Sequence, residues 1–298
     1  MVDWKQIVLR VKDDITEDDI SIVAAGVAFY FFLSVFPLLL AIVSIYGLAA
    51  SPVDIERHLD AAFKIIPAAG GDIIKEQLQS IVSKPRGALG WNTALSILAA
   101  LWTASYASSG LITGFNIAYD EKDDRGYIRS SFEAVVFTLI AALFFIAAIV
   151  CIAVLPVVFK LIGLEELKNV AEGLRWLVVL VIIMAAMGLA NRYAPTRRPP
   201  QWKWVSVGSL VGTVLWLLTS FGFSYYVTNF GNYNETYGSI TGIIILMLWL
   251  YITAYVLLLS AEINAEIEQQ TRADSTVGKP KPMGQRGAVK ADTLPSHQ

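Results

Sequence analysis

Charge is scarce in this sequence: Asp, Glu, Lys and Arg make up only 16% of its 298 residues, against about 25% in soluble globular domains. Histidine and cysteine are scarcer. His58 and His297 are the only histidines and Cys151 the only cysteine, which excludes an intrachain disulfide and a His/Cys zinc site. No Gly-x-Ser-x-Gly elbow and no phosphate-binding Gly-Lys loop occurs, so serine-hydrolase chemistry and an ATP-driven step within the chain are excluded. A net charge of −2 gives no basic footprint for nucleic acid. No cofactor or metal is expected.

What is abundant is uninterrupted apolar sequence. No charged residue occurs in 21–53, 87–119, 134–159, 176–191, 204–234 or 236–261. About 20 apolar residues cross the hydrocarbon core, so five windows suffice outright. The shorter fourth is bracketed by Arg175 and Arg192, which reach the interfaces by snorkelling. The first run is too long for a signal-peptide core and reads as a retained anchor. The expected fold is all-α: a polytopic membrane protein with six transmembrane helices near 22–49, 90–119, 132–159, 175–193, 204–229 and 237–262. Segments 1–20, the first outer loop (53–84) and the tail complete the chain.

Lys and Arg are unevenly shared between the two sides. Fifteen lie in the termini and in loops 120–130 and 192–203, and eight in the alternate loops. The positive-inside rule therefore predicts cytoplasmic N- and C-termini. Trp4, Ile7, Val8, Val11 and Ile15 share one face of an amphipathic helix in 1–20. Ile55, Leu59, Phe63 and Ile66, then Ile74, Leu78, Ile81 and Val82 after Gly70-Gly71, repeat that pattern in 53–84. Such helices lie in the interface or cap a bundle. From 269 to 298 small, polar and charged residues dominate, which predicts a disordered cytoplasmic tail.

In lipid, helices associate through small and hydrogen-bonding residues. The predicted inward stripes are Gly26, Tyr30, Ser34 and Pro37 on the first span and Ser105, Ser109, Thr113, Asn116 and Asp120 on the second. Ser209, Thr213, Trp216, Ser220 and Ser224 mark the fifth, and Gly242, Trp249, Thr253, Ser260 and Asn264 the sixth. Spans three and four are more uniformly apolar and are expected to face lipid more. The stripes are either helix contacts or the lining of a substrate pathway. Tyr30, Ser34, Pro37, Ser105, Ser109, Thr113, Asn116, Trp216, Ser220 and Ser224 are the pathway candidates. No span carries a central charge, so a midplane carboxylate driving proton exchange is not expected. Asp120, Arg125, Glu133, Arg192, Glu262 and Asn264 are candidates for a cytoplasmic gate, with solvated end groups as the alternative. Gly208-x-x-x-Gly212 would pack two helices closely within one chain or between two, which leaves a homo-oligomer open.

Two ordered segments carry a family resemblance. The run Ala24-Ala25-Gly26 through Phe36-Pro37 resembles the first-span signature of the YihY/virulence factor BrkB family. Tyr237-Gly238-Ser239 through Trp249-Leu250-Tyr251 to Ala261-Glu262-Ile263-Asn264-Ala265 is similar to its last-span signature, with Ser260 where Gly is usual. The likeness covers residues 4–268. It implies a bacterial inner-membrane protein of a family linked to serum resistance and to export of envelope lipid or lipopolysaccharide. The family has also carried a tRNA-processing ribonuclease label, for which this sequence supplies neither a basic face nor a metal site. The leading expectation is a transporter or exporter of an amphiphilic or anionic envelope molecule, in contact with membrane lipids. The alternative is a non-transporting scaffold or envelope assembly factor that docks a protein partner through 53–84.

Overall fold

The computed structural model describes residues 4–49, 86–161, 168–230 and 241–295. Among these the regular structure is helical, apart from one isolated bridge between Pro200 and Thr276. In chain order the helices are α1 (Trp4–Glu17), α2 (Ile20–Ala49), α3 (Arg86–Ala118), α4 (Tyr127–Leu161), α5 (Lys168–Tyr193), α6 (Trp202–Phe230), α7 (Thr241–Gln269) and α8 (Val289–Asp292). The expected outer-loop helices 53–84 lie outside the described residues.

The apolar windows lie on α2 to α7. Four helical stretches, Ala94–Ala118, Tyr127–Ala148, Trp202–Thr228 and Thr241–Gln269, are long and apolar enough to cross a membrane. A fifth crossing results if α1 and the start of α2, bent by 62°, form one span. Leu177–Tyr193 is a shorter apolar helix.

The bend between α1 and α2 has a local cause. Asp19 takes a left-handed φ of 50°, which Asp tolerates better than most residues, and its carbonyl accepts the Ile22 N–H at 2.8 Å. A second left-handed residue, Asp120 at φ 55°, ends α3. There the Glu121 N–H reaches the Asn116 carbonyl at 2.8 Å and the Asp120 N–H the Ile117 carbonyl at 2.9 Å, the paired bonds of a Schellman cap.

Burial concentrates at one end of the bundle. Ile20 and Ala24 of α2, Phe115 and Ala118 of α3, Ala134 of α4, Ala190 of α5 and Ala261 and Ala265 of α7 form one core there. α1 lies across the same end, with Ile7 and Val11 packed on Ile267, Ile263 and Leu259 of α7. Of its expected apolar face, Trp4 and Val8 point outward instead. Both described ends of the chain therefore meet at one end of the bundle.

α6 and α7 touch most closely where α6 has no side chains. A Cβ on Gly208 would meet Asn264 at 2.5 Å, and one on Gly212 would meet Ser260 at 2.6 Å. The Gly-x-x-x-Gly pair thus works within this chain.

The described part of the tail, 270–295, is not disordered. The Arg286 guanidinium donates to the carbonyls of Arg272 (2.7 Å), Ala273 (3.1 Å) and Ala291 (2.7 Å). Gly284 and Gly287 take positive φ, which turns their N–H groups, with that of Arg286, onto the Asp292 carboxylate. Loop 194–201 grips this unit: Gln201 N–H bonds the Ser275 carbonyl at 2.8 Å and Arg198 N–H the Gly287 carbonyl at 3.0 Å. Composition misleads here because hydrogen bonds and charge order the tail where apolar burial is small.

Candidate functional site

The inward face of α2 is Ile20, Ala24, Val27 and Ser34, all buried, so of the predicted stripe only Ser34 is buried. Gly26 and Tyr30 are exposed and Pro37 is half-buried within the helix. Ser34 Oγ donates to the Phe31 carbonyl at 2.6 Å. Tyr30 stacks on Tyr106 of α3, ring centres 5.4 Å apart.

On α3 the stripe is also rotated. Ser108, Leu111, Ile112, Phe115 and Asn116 are buried, whereas Thr113 and Asp120 are exposed and Ser105 and Ser109 half-buried. Ser105 and Thr113 satisfy their hydroxyls on the carbonyls of Trp102 and Ser109. Ser108 instead bonds Thr138 of α4 at 2.7 Å. Asn116 Oδ1 accepts the Thr196 N–H at 2.7 Å, so this amide holds the α5–α6 loop. Polarity does not mark the contact face here, because α2 and α3 bury alanine and larger apolar residues where they pack.

On α6 and α7 the prediction fares better. Ser209, Thr213, Ser260 and Asn264 are buried. Asn264 Oδ1 accepts the Gly208 N–H at 2.8 Å, and its Nδ2 donates to the Val205 carbonyl at 3.2 Å. It therefore ties α7 to α6. Trp216 Nε1 donates to Thr253 Oγ1 at 3.2 Å and sets its ring edge-on to Trp249. Ser220 is half-buried, its hydroxyl without a partner among the described residues, and Ser224 is exposed. Nearby is a crevice of about 240 Å³ lined by Leu215, Thr219, Tyr251, Ile252, Tyr255, Val256 and Leu259. α5 is less lipid-facing than expected. Its Asn191 is fully buried and donates to Ser260 Oγ at 3.0 Å.

The most charged region is the end where the termini meet. The predicted gate residues do not form one ring there. Arg125 pairs with Asp123 at 2.7 Å and with Glu133, which also holds Arg129. Asp120 pairs with Lys290 of the tail at 3.0 Å. Arg192 lies over the rings of Trp202 (4.5 Å) and Tyr193 (5.3 Å) rather than against a carboxylate. Glu262 is fully buried, and neither oxygen has a hydrogen-bond donor among the described residues.

Residues that sequence reasoning missed complete this layer. Glu266 accepts from Arg10 of α1 at 2.6 Å and lies 3.3 Å from Lys290 Nζ. Glu268 pairs with Arg197 at 2.7 Å, both side chains buried, and accepts from Ser275. The Arg197 guanidinium also covers the buried Tyr119 ring at 3.9 Å. One signal was available: Glu262 and Glu266, four apart on α7, place like charges on one face, which is destabilising unless neutralised. The cations that meet Glu266 come from α1 and the tail, and spacing along α7 could not identify them.

Outside the spans, burial and then the nearby Glu266 push the Asp14 carboxyl up from 3.8 to about 6. Burial, then Asp120, raises Asp18. Burial pulls Lys290 down, but Asp120 and Glu266 outweigh it and the net shift is upward. Among the described residues no group of three or more His, Cys, Asp or Glu is arranged to hold a metal ion.

Residues 11–284 match the model of the family described as virulence factor BrkB. Two relatives extend along most of the chain. The ribonuclease-like protein YfkH of Bacillus subtilis is 28% identical over 258 residues, 84% of this chain and 90% of that protein. A UPF0761 membrane protein of Vibrio campbellii is 29% identical over 262 residues, 86% of this chain and 80% of its own length. No solved structure matches the chain. With apolar helices of spanning length and a family match over nearly the whole sequence, the chain is a multi-pass membrane protein that belongs to the virulence factor BrkB family.

Proposed function

We propose that the protein crosses the bacterial inner membrane six times, with both termini cytoplasmic, and moves an amphiphilic, lipid-like envelope molecule. Helices α2 to α7 supply six crossings if each spans once. The convergence of α1 and the tail on one end supports an even number. The excess of Lys and Arg on the loops of that end supports its cytoplasmic orientation.

The observation that carries the transport reading is the crevice between α6 and α7. At about 240 Å³ it is smaller than the roughly 300–1,000 Å³ of drug-sized pockets. Its walls are aliphatic and aromatic, with Thr219 as a polar contact. That chemistry suits a stretch of acyl chain whose headgroup stays outside.

Mass spectrometry of molecules that copurify in a native membrane patch tests this reading. Wild type is compared with Val256→Trp, which fills the crevice, and with an unrelated polytopic control. A lipid enriched in wild type and depleted in Val256→Trp is the expected result. Equal contents in all three, with the variant folded, would refute the pathway. Asn116 is unsuitable for this test, because its amide supports Thr196. The scaffold alternative rests on the interfacial helices and on 53–84, which lies outside the described residues. The ribonuclease part of one relative's name is not carried over to this chain.

A further inference from the structure

Five carboxyl groups converge where α1, the α1–α2 junction, the end of α3, α7 and the tail meet: Asp14, Asp18, Asp120, Glu262 and Glu266. Two cations face them, and each meets a carboxylate other than Glu262. Arg10 Nε holds Glu266 at 2.6 Å, and Lys290 Nζ lies between Asp120 at 3.0 Å and Glu266 at 3.3 Å. Neither is paired with Glu262. Glu262 has no exposed surface and no donor to either oxygen among the described residues. The strongest charges acting on it are Asp18 and Asp14, with Lys290 third. Asp18 faces Glu262, and Asp14 faces Glu266, as like charges. Two like-charged carboxyls that share a site are relieved when one of them holds a proton.

An ionised carboxylate buried without a partner is far more costly than a neutral one. A metal would need a set of ligands that the described residues do not present.

We propose that Glu262 is a proton-binding site, occupied while α1 and α7 are packed and filled from the termini end of the bundle through Asp18. In the transfer step an Asp18 O–H bond breaks as a Glu262 O–H bond forms. Asp18 is left as a carboxylate beside Lys290, so charge moves only by the proton. Asp18 is half-buried and Glu17, next to it, is exposed, which connects the route to water. The other facing groups are Arg10 on α1, Tyr119 and Asp120 at the end of α3, Glu266 on α7 and Lys290 on the tail. Burial raises both Asp14 and Asp18, so each keeps its proton to higher pH than a solvated Asp.

Loss of the Glu262 proton would place an unpaired charge between α1 and α7. Release of α1 is the direct relief. The inference is separate from the crevice, since it concerns occupancy by a proton whether or not a lipid is moved.

Infrared spectroscopy of the full chain in lipid nanodiscs, in water and in deuterated water near neutral pH, tests it. The expected result is a protonated-carboxyl stretch in wild type. One component of it is lost in Glu262→Gln and kept in Glu133→Gln. Absence of the band in wild type, or its persistence unchanged in folded Glu262→Gln, overturns the proposal. Asp18→Asn provides a second route if Glu262→Gln does not fold. It should retain the component with a shifted titration, and losing it would assign the proton to Asp18 instead.

Discussion

Replacing Arg197 by Met should be among the most destabilising single changes at the charged end of the bundle. The Arg197 side chain is fully buried and that of Glu268 is 2% exposed, with Nη1 to Oε2 at 2.7 Å. Met keeps much of the volume but leaves the Glu268 carboxylate without its cation. Its other oxygen retains only Ser275. Breaking a buried pair by removing one partner costs about 3–5 kcal/mol. The packing of Arg197 over Tyr119 at 3.9 Å adds roughly 0.5–2 kcal/mol. Removing both charges, as in Arg197→Met with Glu268→Met, leaves no orphaned ion. The remaining cost is the Ser275 hydroxyl, about 1–3 kcal/mol, and the lost ring contact. The double variant should therefore unfold at a higher temperature than the Arg197→Met single variant. Thermal unfolding of the purified protein in one detergent reads the order directly. If the double variant is no more stable than the single, the pair is not desolvated and the reasoning fails.

At Gly208 a new Cβ meets Asn264 at 2.5 Å, so Gly208→Val should cost at least about 1–3 kcal/mol by overpacking. Gly26→Ala meets nothing within 4 Å and should be neutral or stabilising by up to about 1 kcal/mol; unfolding midpoints of the two separate them. Asp14 is raised from 3.8 to about 6, so its contribution to α1 docking is complete below 3.8 and is lost as pH rises through about 6. Hydrogen exchange in residues 4–17, normalised to unfolded rates, should lose protection over that range, and Asp14→Asn should abolish the change. Lys290→Met removes the cation beside Asp120 and Glu266 and should loosen the tail more than Lys281→Met. Limited proteolysis between residues 270 and 295 reports the difference, and equal cleavage would contradict the role given to Lys290.

Legibility differed between helix pairs. The α6–α7 contact was written locally: Gly208, Gly212, Ser260 and Asn264 are small or hydrogen-bonding residues at helical spacing, and the structure packs them together. The polar stripes on α2 and α3 guide only in part, since Ser34 and Asn116 are buried and the rest are half-buried or exposed. Thr113 and Ser105 return their hydroxyls to their own helix, so they need no inward partner. Alanine and apolar residues take the contact face. The tail shows the opposite failure. Its composition predicts disorder, yet Arg286 and Asp292 gather backbone groups from several turns, an arrangement that composition cannot express.

The sequence by itself determined that this is a helical membrane protein of one family, because charge-free runs of spanning length and ordered motifs are local properties of the chain. Only the tertiary structure decided where charge is buried. In the sequence Glu262 is a gate candidate or a solvated end group and Glu266 has no assigned role, until Arg10, Asp14, Asp18 and Lys290 are brought to them from the two ends of the chain. Their ionisation depends on distance and desolvation, and both arise only when the helices pack.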